Sequence, residues 1–325
     1  MKLLIAIHHR FELWQAPAWF AERLKREFPQ LQIVQVTKYE QVASEIGDAE
    51  VLIGWSLRGE QFLQALKLRW IHSTAAAIHL LLSPELLASK VVVTNAREVH
   101  APVVAEHILA VMHALAKRFP AAARYQQQRI WAQTQMWRQG LQEISGSTLG
   151  LVGLGSIGGE TARRALGVGM RVFAMREHPE KASDVAERIF GPEQLDEMLG
   201  ESDFVALAAP LTPRTEHIIN EQRLAKMKPS SYLINVSRGP LIDDAALIAA
   251  LRQKKIAGAA LDVFSEEPLP ADSPYWSLEN CLVTPHTAAI TDRMWERHYA
   301  LFTDNLRHYM AGQPLRGIVN TQQGY

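Results

Sequence analysis

The sequence predicts an α/β protein built from two doubly wound parallel-sheet domains. Short apolar runs alternate with helical segments from the first residues onward, and the alternation restarts at a glycine-rich turn near residue 150. The chain has 325 residues, too many for one ordinary core and comfortable for two domains. Hydrophobic residues make up 48% and charged residues 21%, the balance of a globular chain rather than a disordered one.

In the first half the strand-like runs are residues 3–7, 32–36, 51–55, 70–73 and 91–94, separated by helix-like segments such as 18–28 and 60–67. "REVHAPVVAEHILAVMHALAKRF", residues 97–119, predicts a long helix with Pro102 near its first turn, where a missing N–H costs little. Its apolar residues wrap most of the circumference, so it is expected to be buried. A polar stretch rich in Gln and Trp follows, residues 124–140. The second series then has strands at 148–152, 171–174, 204–208, 232–236, 259–263 and 282–284. A last helix, about 292–310, comes after this sheet is complete and is expected to return to the first domain.

Lys plus Arg and Asp plus Glu both total 34, which leaves no net field for nucleic acid or an anionic membrane and favours a small-molecule partner. The apolar run at residues 3–7 is shorter than a signal h-region or a membrane span. Cys281 is the only cysteine, so an internal disulfide and a Cys-based zinc site are both excluded, and the cytoplasm is expected. His100 and His107 lie two turns apart on one helix face, but His113 turns away and no acidic ligand set accompanies them, so no metal is expected.

"GLVGLGSIGGETARRAL" places Gly153, Gly155 and Gly158 in a G-x-G-x-x-G pattern directly after a strand and directly before a helix, the context that gives this motif its meaning. The first glycine serves the tight turn, the second lets a pyrophosphate approach the backbone, and the third lets helix and strand pack closely. The helix N-terminus adds free N–H groups and the positive end of its dipole. A P-loop would need Gly-Lys-Ser/Thr, and Gly-Gly-Glu stands there instead.

The next strand ends at "VFAMRE", about 20 residues past the glycines, where this fold places an acid for the adenosine ribose. Arg176 stands there. It removes the carboxylate that would repel a 2′-phosphate and offers a fork of donors to bind one, so NADP(H) is expected as the preferred cofactor, with NAD(H) also possible. His178 and Lys181 are candidate helpers; in the alternative, Glu177 serves the ribose and Arg176 faces solvent.

Three later segments each put a polar residue at a strand end: "YLINVSRGPLID", "GAALDVFSEEP" and "CLVTPHTAAI". In an open α/β sheet, ligands bind outside the carboxyl ends of the strands, so Arg238, Asp262 or Glu267, and His286 are expected to converge. With "LVGLGSIG" and "NAREVHAPVVAEH", these segments resemble, in order and spacing, the D-isomer-specific 2-hydroxyacid dehydrogenase family, within it the glyoxylate/hydroxypyruvate reductase-like members.

The resemblance implies a Rossmann dinucleotide-binding domain, residues 98–290, inserted into a flavodoxin-like substrate domain, residues 1–97 plus 291–325, with the active site between them. It implies that Arg238 binds the carboxylate and keto oxygen of a 2-oxo acid, that His286 gives a proton to the carbonyl oxygen, and that Glu267 orients the imidazole. It implies cofactor contacts from Gly153, Gly155, Ser156, Ile157, Gly158, Arg176, Pro210, Thr215, Val236 and Ser237, with Asp262 near the nicotinamide carboxamide.

On the substrate side, "IHSTAAAIH" is similar to the family loop whose backbone N–H groups hold the carboxylate, with Ala77 in place of a glycine and His79 in place of an acid, so Ala76 and Ala77 are substrate candidates. Trp55 of "GWSLRG" is a third, and is equally readable as core. The expected activity is reduction of a small 2-oxo acid such as glyoxylate or hydroxypyruvate to a D-2-hydroxy acid by a homodimer. The alternative is a non-catalytic, dinucleotide-sensing interaction protein of the corepressor type.

Overall fold

The structure, a computed structural model, describes residues 1–7, 12–76, 78, 80–181 and 183–321. The chain divides into two compact units, Met1–His100 with Thr291–Tyr325, and Ala101–Ile290.

The first unit holds a five-stranded, all-parallel sheet of β1 (Lys2–Ala6), β2 (Gln32–Gln35), β3 (Val51–Gly54), β4 (Trp70–Ser73) and β5 (Val92–Asn95), in the order β2-β1-β3-β4-β5. This is the flavodoxin-like order, and its central strands β1 and β3 are buried along their whole length because both faces are covered. The C-terminal helix Met294–Met310 lays Tyr299, Phe302 and Leu306 over Leu3, Ile5, Phe20 and Trp70 on one face. The tail beyond it closes the β5 edge: Asn95 N donates to Gly317 O at 3.1 Å and Val319 N to Val93 O at 2.9 Å.

The second unit holds seven parallel strands: β6 (Thr148–Val152), β7 (Arg171–Met175), β8 (Arg188–Phe190), β9 (Phe204–Leu207), β10 (Tyr232–Asn235), β11 (Gly258–Leu261) and β12 (Cys281–Val283). Their order, β12-β11-β10-β9-β6-β7-β8, is the dinucleotide-binding arrangement with one strand added beyond β11. The order reverses between β6 and β9, so the glycine turn after β6 opens at the switch point of the sheet.

Several expectations are corrected. The segment 60–67 is helical only over Gly59–Phe62; Leu63 and Leu66 beyond it are 67% and 84% exposed, so no inward apolar stripe prolongs the helix. The long helix runs Arg97–Ala116 rather than to residue 119, with Pro102 in its second turn; the proline follows the unit boundary at His100/Ala101 by one residue. The polar stretch takes in the end of one helix, Phe119–Gln127, and the whole of another, Gln133–Arg138. Strand β8 was not foreseen, since three residues beginning with Arg188 carry no readable alternation. Residues 208, 236, 262, 263 and 284, expected at strand ends, leave the ladder to begin the loops described below. The helix Arg97–Ala116 is long and apolar enough to cross a membrane by composition, but 61% of its most apolar window is buried, as in a core helix.

In the first unit three histidines are sequestered. His72 on β4 is 0% exposed and shares the Thr94 hydroxyl with Trp70, the Oγ1 distances being 2.8 Å to His72 Nδ1 and 2.9 Å to Trp70 Nε1. His298 packs its ring against those of His100 and Trp295, with centroids 5.2 and 5.3 Å apart. Burial pushes the His72 pKa down to about 3. Burial, reinforced by His100 and His72, also holds His298 well below its usual value. Because these folded values lie below that of an unfolded histidine, about 6.5, the unfolded chain binds more protons. Stability is therefore complete above that value and falls as pH drops through it, by up to about 1.4 kcal/mol per pH unit for each histidine. Urea midpoints measured from pH 8 to pH 5 are expected to decline below pH 6.5, and His72→Gln is expected to flatten the slope. An unchanged slope in that variant would contradict the assignment.

Candidate active site

The glycine turn is shaped by close backbone approaches. Gly153 has φ +103°, and a Cβ there would stand 2.8 Å from the Ala208 carbonyl; at Gly158 a Cβ would come within 2.2 Å of Gly153 O. These two glycines are required by the protein's own packing. Gly155 differs: a Cβ there would meet nothing within 4 Å, so the space above the turn is open. Gly155 caps the helix Ser156–Gly167 without any side-chain hydrogen bond, and the first turn carries no acid. Gly155 and Ser156 are exposed and Ile157 is half-buried. Uncapped N–H groups facing open space at a helix N-terminus suit a pyrophosphate, so these residues fit the dinucleotide that the motif implies.

Arg176 stands immediately after β7. Its Nε donates to His178 O at 2.9 Å and an Nη2 proton goes to Lys181 O, so the guanidinium closes the 178–181 turn. Glu177, the alternative ribose partner, is held by Arg214. In the loop after β9, the Thr215 hydroxyl donates to Pro210 O at 2.7 Å and accepts from Thr212 N at 2.8 Å, shaping the stretch that carries Pro210. Ser237 Oγ donates to Leu207 O at 3.0 Å, tying the loop after β10 to β9, and Val236 beside it is buried.

Arg238 follows β10 in extended conformation, half-buried, with Nη1 donating to Ser237 O at 2.6 Å. Burial draws its pKa down and Glu267 opposes this; an arginine so placed remains charged. Its neighbour Gly239 is a site residue that sequence reasoning missed. A Cβ there would lie 2.0 Å from the Phe264 carbonyl carbon, so the loops after β10 and β11 touch only because this residue has no side chain. The "RGP" in "NVSRGP" was the available signal, visible only once the opposing backbone is known.

Glu267 and His286 meet directly. Glu267 Oε2 lies 2.7 Å from His286 Nδ1, and Oε1 accepts from Phe264 N at 3.0 Å. Burial raises the Glu267 pKa, but the hydrogen bonds from His286 and Phe264 and the charges of His286 and Arg238 outweigh it and hold the group below the usual carboxylate range. With Nδ1 engaged by a carboxylate, that nitrogen carries the proton of the neutral ring, and Nε2 is left to act on a ligand.

His286 has φ +54°, a left-handed conformation that costs a non-glycine residue about 1–2 kcal/mol. Asp262, 1% exposed, holds it there. The Asp262 carbonyl accepts from His286 N at 2.9 Å; its Oδ1 accepts from Thr284 Oγ1 at 2.6 Å and Thr287 N at 2.9 Å, and its Oδ2 from Ala288 N at 2.9 Å. Thr284 and the backbone of 287 and 288 are further participants that the sequence reading did not name.

The structure thus brings Arg238, Asp262, Glu267 and His286 together at the carboxyl ends of β10, β11 and β12. Trp55 and Ala76 belong to the first unit. Trp55 is half-buried against Trp14, with ring centroids 6.3 Å apart, and the Ala76 carbonyl accepts from Asn95 Nδ2 at 2.7 Å. Ala77 and His79 lie outside the described residues. Among the described residues no group of three metal-ligating side chains occurs.

The family model "D-isomer specific 2-hydroxyacid dehydrogenase, NAD binding domain" matches residues 109–288, which contain the glycine turn, Arg238, Glu267 and His286. The chain is 35% identical over 290 residues to a glyoxylate reductase of Korarchaeum cryptofilum, covering 86% of each chain. It is 32% identical over 318 residues to a glyoxylate reductase of Pyrococcus furiosus, covering 96% of this chain and 90% of that one. A solved D-isomer specific 2-hydroxyacid dehydrogenase from Xanthobacter autotrophicus Py2, in complex with NADPH and MES, superposes with a TM-score of 0.81 at 27% identity, covering 99% of both chains. By sequence, fold and the arrangement at its strand ends, the chain belongs to the D-isomer specific 2-hydroxyacid dehydrogenase family and uses a nicotinamide dinucleotide.

Proposed function

We propose that the chain reduces a small 2-oxo acid, of the glyoxylate or hydroxypyruvate type, to the D-2-hydroxy acid, with NADPH preferred over NADH. The observation that carries the reading is the Glu267–His286 contact at 2.7 Å beside Arg238, at the end of the sheet where the glycine turn opens. The names of the two glyoxylate reductases support the substrate class, and the NADPH complex from Xanthobacter supports the cofactor.

A nicotinamide dinucleotide supplies the hydride that reaches the keto carbon. Gly153, Gly155, Ser156, Ile157 and Gly158 would hold its pyrophosphate, Pro210, Thr215, Val236 and Ser237 would line its path, and Asp262 would build the loop near its carboxamide. Arg238 holds the substrate carboxylate and keto oxygen with its planar fork of donors. His286 delivers a proton from Nε2 to the carbonyl oxygen, while the Glu267 carboxylate stabilises the imidazolium that must precede delivery. In the reverse direction neutral Nε2 takes the proton back. Trp55 and the backbone of Ala76 and Ala77 are proposed substrate contacts on the strength of the family loop they resemble. A non-catalytic, dinucleotide-sensing protein would have no use for a carboxylate-braced histidine, and that reading is set aside.

Arg176 retains three of its five N–H donors after the two bonds that close its turn, enough to grip a 2′-phosphate. We further propose a cytoplasmic homodimer. The lone Cys281 suits a reducing compartment. Phe119, Trp131 and Trp137, 58%, 89% and 71% exposed on or beside the helices Phe119–Gln127 and Gln133–Arg138, offer apolar surface for a second copy to cover.

Replacing His286 by Ala is expected to lower kcat for glyoxylate reduction by about 100- to 10,000-fold; turnover near the wild-type rate would overturn the proton-donor assignment. Removing a charge-assisted hydrogen bond costs about 1.5–3 kcal/mol, so Arg176→Ala is expected to reduce kcat/KM for NADPH by about 10- to 100-fold while leaving NADH little changed. A wild-type enzyme that favours NADH would defeat the cofactor proposal. Ser at both Trp131 and Trp137 is expected to shift the particle toward monomer in analytical ultracentrifugation, and an unshifted dimer would place the interface elsewhere.

A further inference from the structure

His107 has no part in the chemistry above, yet it reaches the loop that carries His286. It lies on the helix Arg97–Ala116, mostly buried, with Nε2 3.3 Å from Thr284 Oγ1 and 4.0 Å from Asp262 Oδ1. The Thr284 hydroxyl has a single proton. The two oxygens of Asp262 already accept the N–H groups of Thr287 and Ala288, so Oδ1 faces Thr284 as an acceptor too, and the 2.6 Å separation places the hydroxyl proton between them. With that proton committed, Thr284 Oγ1 turns its lone pairs toward His107, and Nε2 must be the donor.

Burial holds the His107 pKa below its ordinary value, against the opposing pull of Asp262, so the ring is neutral near pH 7 and carries its proton on Nε2. The result is a directed chain: His107 Nε2–H to Thr284 Oγ1, and Thr284 Oγ1–H to Asp262 Oδ1. Asp262 in turn holds the left-handed backbone at His286 through its carbonyl and the N–H groups that follow.

We propose that His107 is a positioning residue: its Nε2–H orients the Thr284 hydroxyl and so secures the Asp262 anchor that aims His286 at the substrate carbonyl. The proposal rests on the reading of His286 as proton donor. An imidazole that merely filled space would be replaceable by any side chain of similar bulk. A donor to Thr284 is replaceable only by another donor.

His107→Leu keeps bulk without a donor, and His107→Gln keeps an amide N–H within reach. His107→Leu is expected to lower kcat about tenfold, the scale of a sub-ångström displacement of the catalytic group. Its KM for glyoxylate should move by less than about twofold, because Arg238 carries ground-state binding. His107→Gln should recover most of the kcat, and in a Thr284→Val background the Leu and Gln variants should become equal.

An independent readout needs neither turnover nor a variant. Nitrogen-15 NMR of histidine-labelled protein at pH 7.5, without cofactor, should show His107 protonated at Nε2 and bare at Nδ1. The opposite tautomer overturns the proposal. So does a His107→Leu enzyme with wild-type kcat while His286→Ala is inactive. If His286→Ala itself turns over normally, the reading of the reaction fails instead. Should the Leu variant not fold, the Gln variant and the tautomer measurement still decide.

Discussion

The carboxylate of Asp262 is the constraint on which the rest of the second unit's site depends. It is almost fully buried, and a buried carboxylate is tolerated only when its oxygens are hydrogen-bonded. Here the donors are the Thr284 hydroxyl and the backbone N–H groups of Thr287 and Ala288, so satisfying the acid means folding residues 284–288 around it. His286 lies inside that turn with positive φ, a conformation its own side chain disfavours. One buried acid thereby supplies the force that keeps the His286 imidazole where an unassisted backbone would not leave it.

The second constraint is the close approach of backbones at glycines. Gly158 packs on Gly153, Gly153 on the Ala208 carbonyl, and Gly239 on the backbone of Phe264 and Ser265. Each contact is shorter than any Cβ permits; the first closes the turn after β6, and the other two join loops that follow different strands. Through Gly239, Arg238 is held beside the loop whose Glu267 engages His286. The sheet supplies parallel strand ends at the spacing of its hydrogen bonds, and the glycines let the loops above them touch. Electrostatics then become local: Glu267 is held below the usual carboxylate range by the histidine and arginine beside it, despite the burial that opposes its charge.

In the first unit polar groups are spent differently. His72, His100 and His298 sit among Trp70, Trp295 and Phe302, where burial keeps the rings of His72 and His298 uncharged near neutrality. They act as polar members of an aromatic core, at the cost of acid sensitivity. The chain's return through the C-terminal helix and the tail on β5 completes that core from a segment that follows the whole second unit in sequence, closing the unit around its sheet.

The sequence by itself determined what local chemistry can encode. Mainly apolar runs marked most strands, because a parallel sheet covered on both faces buries most positions of each strand. The glycine spacing marked the turn, because close approach forbids side chains at fixed offsets. Arg238, Glu267 and His286 could be named because each follows a strand and matches a family motif residue by residue. Only the tertiary structure decided the rest. That Gly239 is a steric necessity depends on a backbone 25 residues away, and that His107 meets the Thr284 hydroxyl depends on a helix 177 residues earlier in the chain. That Asp262 spends both oxygens on the loop after β12, and that a three-residue strand β8 extends the sheet, are likewise long-range facts. A hydrogen bond between distant residues leaves no period in the sequence, since its partner is chosen by packing and not by spacing.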